Sequence, residues 1–255
     1  MEVHHHPHVE KKNFKEYFLE FLMIFLAVTM GFFAETIRES ITEHDRAEAF
    51  AVSMLKDLEA DTAQLKVYRK YFNYASNNAD TLIQLLSAAD PRNIPSGKLY
   101  WYGLWGGAHK YFIPNDATLQ EMKSSGSLRY FEKHLATDIS KYDRLCRMMQ
   151  TNEEMLKNVY TEVRKSRAQL FDFRYNDIAN NIVQANNISF DQERIDSFVR
   201  SNPPLLSYDK TLFNQYVELV RSRFMHYNVE YADSLLNQAT LLIDELKKKY
   251  NLDNE

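Results

Sequence analysis

Phe21-Leu-Met-Ile-Phe-Leu-Ala-Val-Thr-Met-Gly-Phe-Phe-Ala34 is the stretch from which the rest of the chain is read. Its fourteen residues carry no charge, and only Thr29 is polar. Extending it back through Tyr17, Phe18 and Leu19 lengthens the apolar run, interrupted once by Glu20. A bilayer core needs roughly twenty mostly apolar residues. The run is apolar on every side of a helix, whereas an interfacial helix keeps a polar face. Aromatic residues (Phe14, Tyr17, Phe18, Phe32, Phe33) and charges (Lys12, Lys15, Glu35, Arg38) flank it, as they flank membrane spans. These features predict a transmembrane anchor over 14–36, with a buried core helix as the alternative. A cleaved signal peptide is disfavoured: Ala34-Glu35-Thr36-Ile37-Arg38-Glu39 lacks a small-x-small site and continues as a good helix.

Lys11, Lys12 and Lys15 precede the anchor, and Arg38 and Arg46 follow it. The bias places the N-terminus in the cytoplasm and the following domain across the membrane. Glu20 is costly in a bilayer, which makes it a candidate for proton coupling or an interfacial residue near the end of the run.

Composition supports a helical reading of the remainder. The 255 residues are 45% hydrophobic, with only six glycines and six prolines. Few breakers and many helix-forming side chains favour long helices over short strands. The net charge of −4 and pI of about 6.1 offer no basic face for nucleic acid. A lone cysteine, Cys146, excludes an internal disulfide framework and a cysteine-rich zinc site. It falls in a core stripe beside Leu145 and Met149, which predicts a buried, inert thiol.

Residues 1–13 form a polar tail holding His4, His5, His6 and His8, readable either as a metal-binding tract or as a solvated terminus. No further domain is expected in so short a tail. Beyond the anchor, Ala51, Met54, Leu58, Leu65, Tyr68 and Phe72 recur at helical spacing. No proline lies between Pro7 and Pro91, so one long helix is expected, with a pause near Asn73–Asn78 where amides favour local bonding. Further stripes run from Leu135 to Val163 and from Leu212 to Leu246. Phe190–Val199 reads as a short helix capped by Ser189 or Asp191, and Asn202-Pro203-Pro204 as a stop. The fold class expected is all-α: one N-terminal transmembrane helix continuing into an antiparallel helical bundle over 37–250, with a polar tail at 251–255.

Residues 90–115 interrupt the pattern. Asp90-Pro91, Pro95-Ser96-Gly97, Gly106-Gly107 and Pro114 are turn signals that predict a loop. It is rich in aromatics, and Tyr100, Trp101, Tyr102, Trp105, Tyr111 and Phe112 are the candidate ligand- or partner-binding residues. Three readings stand: a recognition loop, a satellite core that pins the loop to the bundle, or a belt at the bilayer surface. After it, Asp116 is a candidate helix cap, Thr118 with Glu121 matches a capping box, and Gly126 suits a left-handed helix end.

Among the residues beyond the tail, His44, His109, His134 and His226 make no H-x-x-x-H pair, and Glu43-His44 and Glu132-Lys-His134 have the wrong spacing for a diiron Glu-x-x-His. The expectation is no enzyme, no cofactor and no metal.

The segment Phe14-Lys-Glu-Tyr-Phe-Leu-Glu-Phe-Leu-Met-Ile-Phe-Leu-Ala-Val-Thr-Met-Gly-Phe-Phe-Ala-Glu-Thr-Ile-Arg-Glu39 resembles a group of uncharacterised bacterial single-pass membrane proteins, a domain-of-unknown-function family. Ala117-Thr-Leu-Gln-Glu-Met-Lys-Ser-Ser-Gly-Ser-Leu128 is similar to their Thr-containing helix followed by a Ser-Gly turn. The resemblance covers the first fifty residues and this central stretch. It implies an inner-membrane protein with a helical extracytoplasmic domain, and no activity. The functional expectation is a membrane-anchored scaffold, with the lipid bilayer and a protein partner or second copy as contacts. The alternative is an extracytoplasmic ligand sensor using residues 99–112.

Overall fold

The computed structural model describes residues 13–184, 189–226 and 229–252. The histidine tail and the last three residues lie outside them. The described residues fold as an all-α protein whose chain divides into two compact units, residues 1–49 and 50–255.

The described residues of the first unit are almost wholly helical. Helix α1, Phe14–Ala88, begins in this unit and is unbroken. From Phe14 to Ile41 its large apolar side chains are exposed on every face, Phe32 at 71% and Met30 at 69% among them. The helix is long and apolar enough to cross a membrane, and none of its apolar window is buried. A core helix of a soluble domain would bury that surface. Thr29 donates its hydroxyl to Phe25 O at 2.7 Å, so the one polar side chain of the run is satisfied by its own helix.

In the second unit the expected pause at Asn73–Asn78 does not occur. Asn78 is buried and its amide donates to Tyr74 O at 2.7 Å, one turn back. The competing hydrogen bond is therefore made within the helix, which does not need to break. Helix α2, Ser96–Gly106, occupies the middle of the expected loop. Pro95 stands at its cap and starts the helix instead of ending one, and eleven residues between glycine-containing flanks suffice for three turns. Helix α3, Ala117–Ser125, ends at Gly126, whose φ of 69° is the left-handed conformation expected there. Asp116 stands at its N-cap without capping it through the side chain: the carboxylate takes the Gln120 amide at 3.1 Å instead. Thr118, expected to form a capping box with Glu121, lies inside α3 and is buried.

Helix α4 spans Lys133–Leu170, α5 Phe173–Ile182 and α6 Gln192–Arg200. Asp191 caps α6, accepting from Arg194 N at 3.1 Å. Between α5 and α6, Val183–Gln184 pairs antiparallel with Ser189–Phe190. The C-terminal stripe expected as one element is helical over Lys210–His226 (α7) and Val229–Tyr250 (α8), and residues 227–228 lie outside the described residues.

Cross-helix contacts give the directions. Asp61 and Tyr68 of α1 meet Tyr142 and Glu153 of α4, both ascending, so α1 and α4 run parallel. Glu59 and Arg69 of α1 meet Lys247 and Asp233 of α8, so α8 runs antiparallel to α1. Asp138 and Glu132 of α4 meet Gln238 and Lys249, the same antiparallel sense. Two parallel rods joined in sequence need a return connection, and α2 with residues 107–116 supplies it. The core follows the stripes: Leu58, Leu65, Ile139, Met149, Leu156, Val220, Leu235, Leu242 and Leu246 are each within 1% of full burial.

Candidate functional site

The aromatic residues singled out by sequence are placed mainly inside the second unit. Tyr100, Trp101, Trp105 and Phe112 are buried, Tyr102 is half-buried and Tyr111 is exposed. Helical spacing separates their partners. Tyr100 packs edge-on against Phe171 with ring centroids 5.1 Å apart, and Trp101 lies 6.3 Å from Phe198. Trp105 meets Tyr74 at 5.7 Å and Tyr71 at 6.5 Å on α1. Phe171 can press on α2 because position 103 is glycine: a Cβ there would stand 2.8 Å from its ring. The Tyr100 hydroxyl donates to Pro204 O at 2.7 Å and accepts from Asp172 N at 3.0 Å, tying α2 to the segments after α4 and α6. Tyr216 donates to Gly103 O from α7. Tyr100 and Trp101 both reach Phe198, and Trp101 lies 6.0 Å from Trp105, so these three rings belong to one packed cluster.

Two buried carboxylates form a second constellation. Asp61 of α1 is fully buried and accepts three hydrogen bonds: Asn115 N at 2.8 Å, Asn115 Nδ2 at 2.7 Å and the Tyr142 hydroxyl at 2.5 Å. Glu153 of α4 is 7% exposed and accepts from the Tyr68 hydroxyl at 3.0 Å. Its other oxygen lies 2.9 Å from Nε2 of His109. Each carboxylate joins the same three pieces of chain: α1, α4 and the segment 107–116. A buried carboxylate survives only when its oxygens are occupied, and here they are. Burial pushes the Asp61 carboxyl above its usual range, against the opposing pull of its Tyr142 and Asn115 donors. Burial likewise raises the Tyr142 phenol and pushes the Cys146 thiol up to about 12, which leaves that thiol protonated and unreactive. The expected burial of Cys146 is found.

The sequence held a signal for these residues that periodicity alone passed over. Asp61 lies three residues after Leu58 and four before Leu65, and Glu153 four after Met149 and three before Leu156. An acid at a core position of a stripe is the mark of a buried, partnered charge. Arg223 repeats the case on α7, three residues after Val220: it is fully buried and donates to Gly106 O at 3.0 Å.

An open cleft of about 540 Å³ lies between the last turns of α1 and helix α7, floored by Ile83, Leu86, Phe213 and Val217. Asp90 and Lys210 pair at 3.1 Å at one rim, and Glu218 and Arg221 at 3.5 Å at the other. Neither rim carries an excess of charge. Among the described residues, no three His, Cys, Asp or Glu side chains gather as a metal site. Of the four histidines outside the tail, His109 is buried against Glu153 and His134 lies 3.5 Å from Glu132 on the surface. No family model, curated protein or solved structure matches the chain.

Proposed function

We propose that this chain is a membrane-anchored helical scaffold of the bacterial envelope, without catalytic activity, that docks a protein partner or a second copy through its helical faces. The observation that carries the reading is the 14–41 segment, whose apolar side chains are exposed on all sides of an internally satisfied helix. Water is a poor solvent for such a surface and hydrocarbon a good one. The resemblance of Phe14–Glu39 to single-pass envelope proteins agrees with it. Lysines ahead of the span favour a cytoplasmic N-terminus in the inner membrane and a periplasmic bundle.

The test is topology and extraction. In a Cys146→Ser background, Asn93→Cys and Ser140→Cys place thiols at exposed positions of the bundle. A membrane-impermeant maleimide should label both in intact spheroplasts. Protection that is lost on lysis would reverse the orientation, and release of the chain by alkaline carbonate would sink the anchor. The sensor alternative would use residues 99–112, where Tyr100, Trp101, Trp105 and Phe112 are buried while Tyr102 is half-buried and Tyr111 exposed. Thermal shifts across a metabolite panel would report it.

A further inference from the structure

We propose that only residues 21–34 of the anchor face hydrocarbon, so that this chain favours a bilayer with a thinner core than average. The inference rests on the anchor reading above and adds the kind of membrane that the anchor fits.

Fourteen residues separate Glu20 from Glu35. At 1.5 Å of rise each they span about 21 Å, roughly 9 Å short of an average hydrocarbon core of about 30 Å. Between these bounds no side chain needs water. Thr29 donates to the carbonyl of Phe25, and the large apolar side chains are open on every face. At the bounds that changes. Arg38 donates Nε to Glu35 at 2.9 Å, and the two side chains are 70% and 59% exposed, so water or headgroups must solvate the pair. On the other side Glu20 carries its carboxylate on a shorter stem than lysine or arginine, and reaches less far toward the headgroups. Tyr17 and Phe18, more than half exposed, stand outside Glu20, where rings mark the headgroup level.

A thicker bilayer therefore has to thin around the span, draw Glu20 into hydrocarbon, or draw in the Glu35–Arg38 pair. Tilting gives no relief, because it shortens the reach of a run that is already too short. The cost grows with each ångström of mismatch, and such costs sort spans among membranes of different thickness.

The experiment reads lipid preference in the full chain. Val28→Trp places an indole at the middle of the run, while Trp101 and Trp105, each 3% exposed within the bundle, give a constant background. The protein is reconstituted in dioleoyl phosphatidylcholine mixed with a brominated phosphatidylcholine of shorter (dimyristoleoyl) or longer (dierucoyl) chains. Contact quenching then gives the relative affinity of the span for each. The short-chain lipid should be favoured over the long by about tenfold. Glu20→Leu extends the charge-free run back to Tyr17, about 27 Å over eighteen residues, and should erase most of that preference. Glu39→Leu, the same change outside the bounds, should leave it intact. Equal quenching by the two lipids, a preference for the longer one, or a ratio that Glu20→Leu leaves untouched overturns the proposal. Failure of the anchor reading itself looks different: neither lipid quenches, and alkaline carbonate releases the chain.

Discussion

Residues 14–41 and residues 99–112 are the two most apolar and aromatic stretches of the chain, and the structure treats them oppositely. In the first, Phe21, Ile24, Phe25, Phe32 and Phe33 are all more than half exposed. In the second, Tyr100, Trp101, Trp105 and Phe112 are buried to within 3%. Apolarity is not what separates them. The second stretch mixes rings with glycines and polar tips, so neighbouring segments can approach closely and the hydroxyl of Tyr100 finds partners after α4 and after α6. The first offers a neighbour no such purchase, and even its threonine bonds to its own helix. One surface is built to be covered by protein, the other by a solvent that does not hydrogen-bond.

The sharpest way to break this contrast is to charge the first stretch. Each arginine at a span centre costs about 2.5–3.5 kcal/mol of insertion. The double variant Leu26→Arg, Val28→Arg should therefore move from the membrane to the soluble or aggregated fraction. Circular dichroism of the recovered chain should keep the melting transition of the bundle; a variant still resistant to carbonate would show that the span is not held by hydrocarbon. The reciprocal change, Trp105→Ala, should remove about 3–5 kcal/mol from the bundle, lowering its melting temperature by roughly 6–20 °C for a unit of this size. Phe33→Ala, read in the same melt, should leave the bundle within about 0.5 kcal/mol of wild type. A Trp105→Ala loss no larger than that would mean the α2 rings are not core.

A smaller effect separates buried polar from buried apolar stabilisation. Asp61→Leu leaves the Asn115 and Tyr142 donors without an acceptor and should cost about 2–5 kcal/mol, whereas Asp61→Asn should cost clearly less. The pH dependence has a fixed sign. Because burial raises the folded carboxyl above its unfolded value, Asp61's contribution is fully present below the ordinary carboxylate range and is lost as pH rises through the raised value. Urea melts from pH 4 to neutrality should show wild type losing ground to Asp61→Asn as pH rises, and the opposite slope would contradict the desolvation argument. Smallest of all is the surface pair of Lys249 with Glu132, about half exposed on both sides. Lys249→Ala should shift stability by less than about 1 kcal/mol.

Much of this arrangement was legible in local patterns. The stripes in α1, α4 and the α7–α8 region, the left-handed end at Gly126 and the burial of Cys146 all follow from spacing and residue type. Two readings did not survive. The amides of 73–78 suggested a pause, but Asn78 bonds one turn back inside α1. The prolines and glycines of 90–107 suggested a loop, but they bracket a helix. Of the candidate site, the rings were legible and their setting was not, because burial depends on what the neighbouring helices bring.

Sequence by itself determined the helical class, the apolar segment and the faces each helix would bury, because these depend on the order of residues within a few turns. The parallel course of α1 and α4, the return of the chain through α2 and residues 107–116, and the pairing of Asp61 with Asn115 and of Glu153 with His109 were decided only by the tertiary structure. Those partners stand 54 and 44 residues apart. A carboxylate in a helical stripe reads as solvent-facing until the fold puts a donor opposite it, and the energy that keeps it buried comes from that meeting.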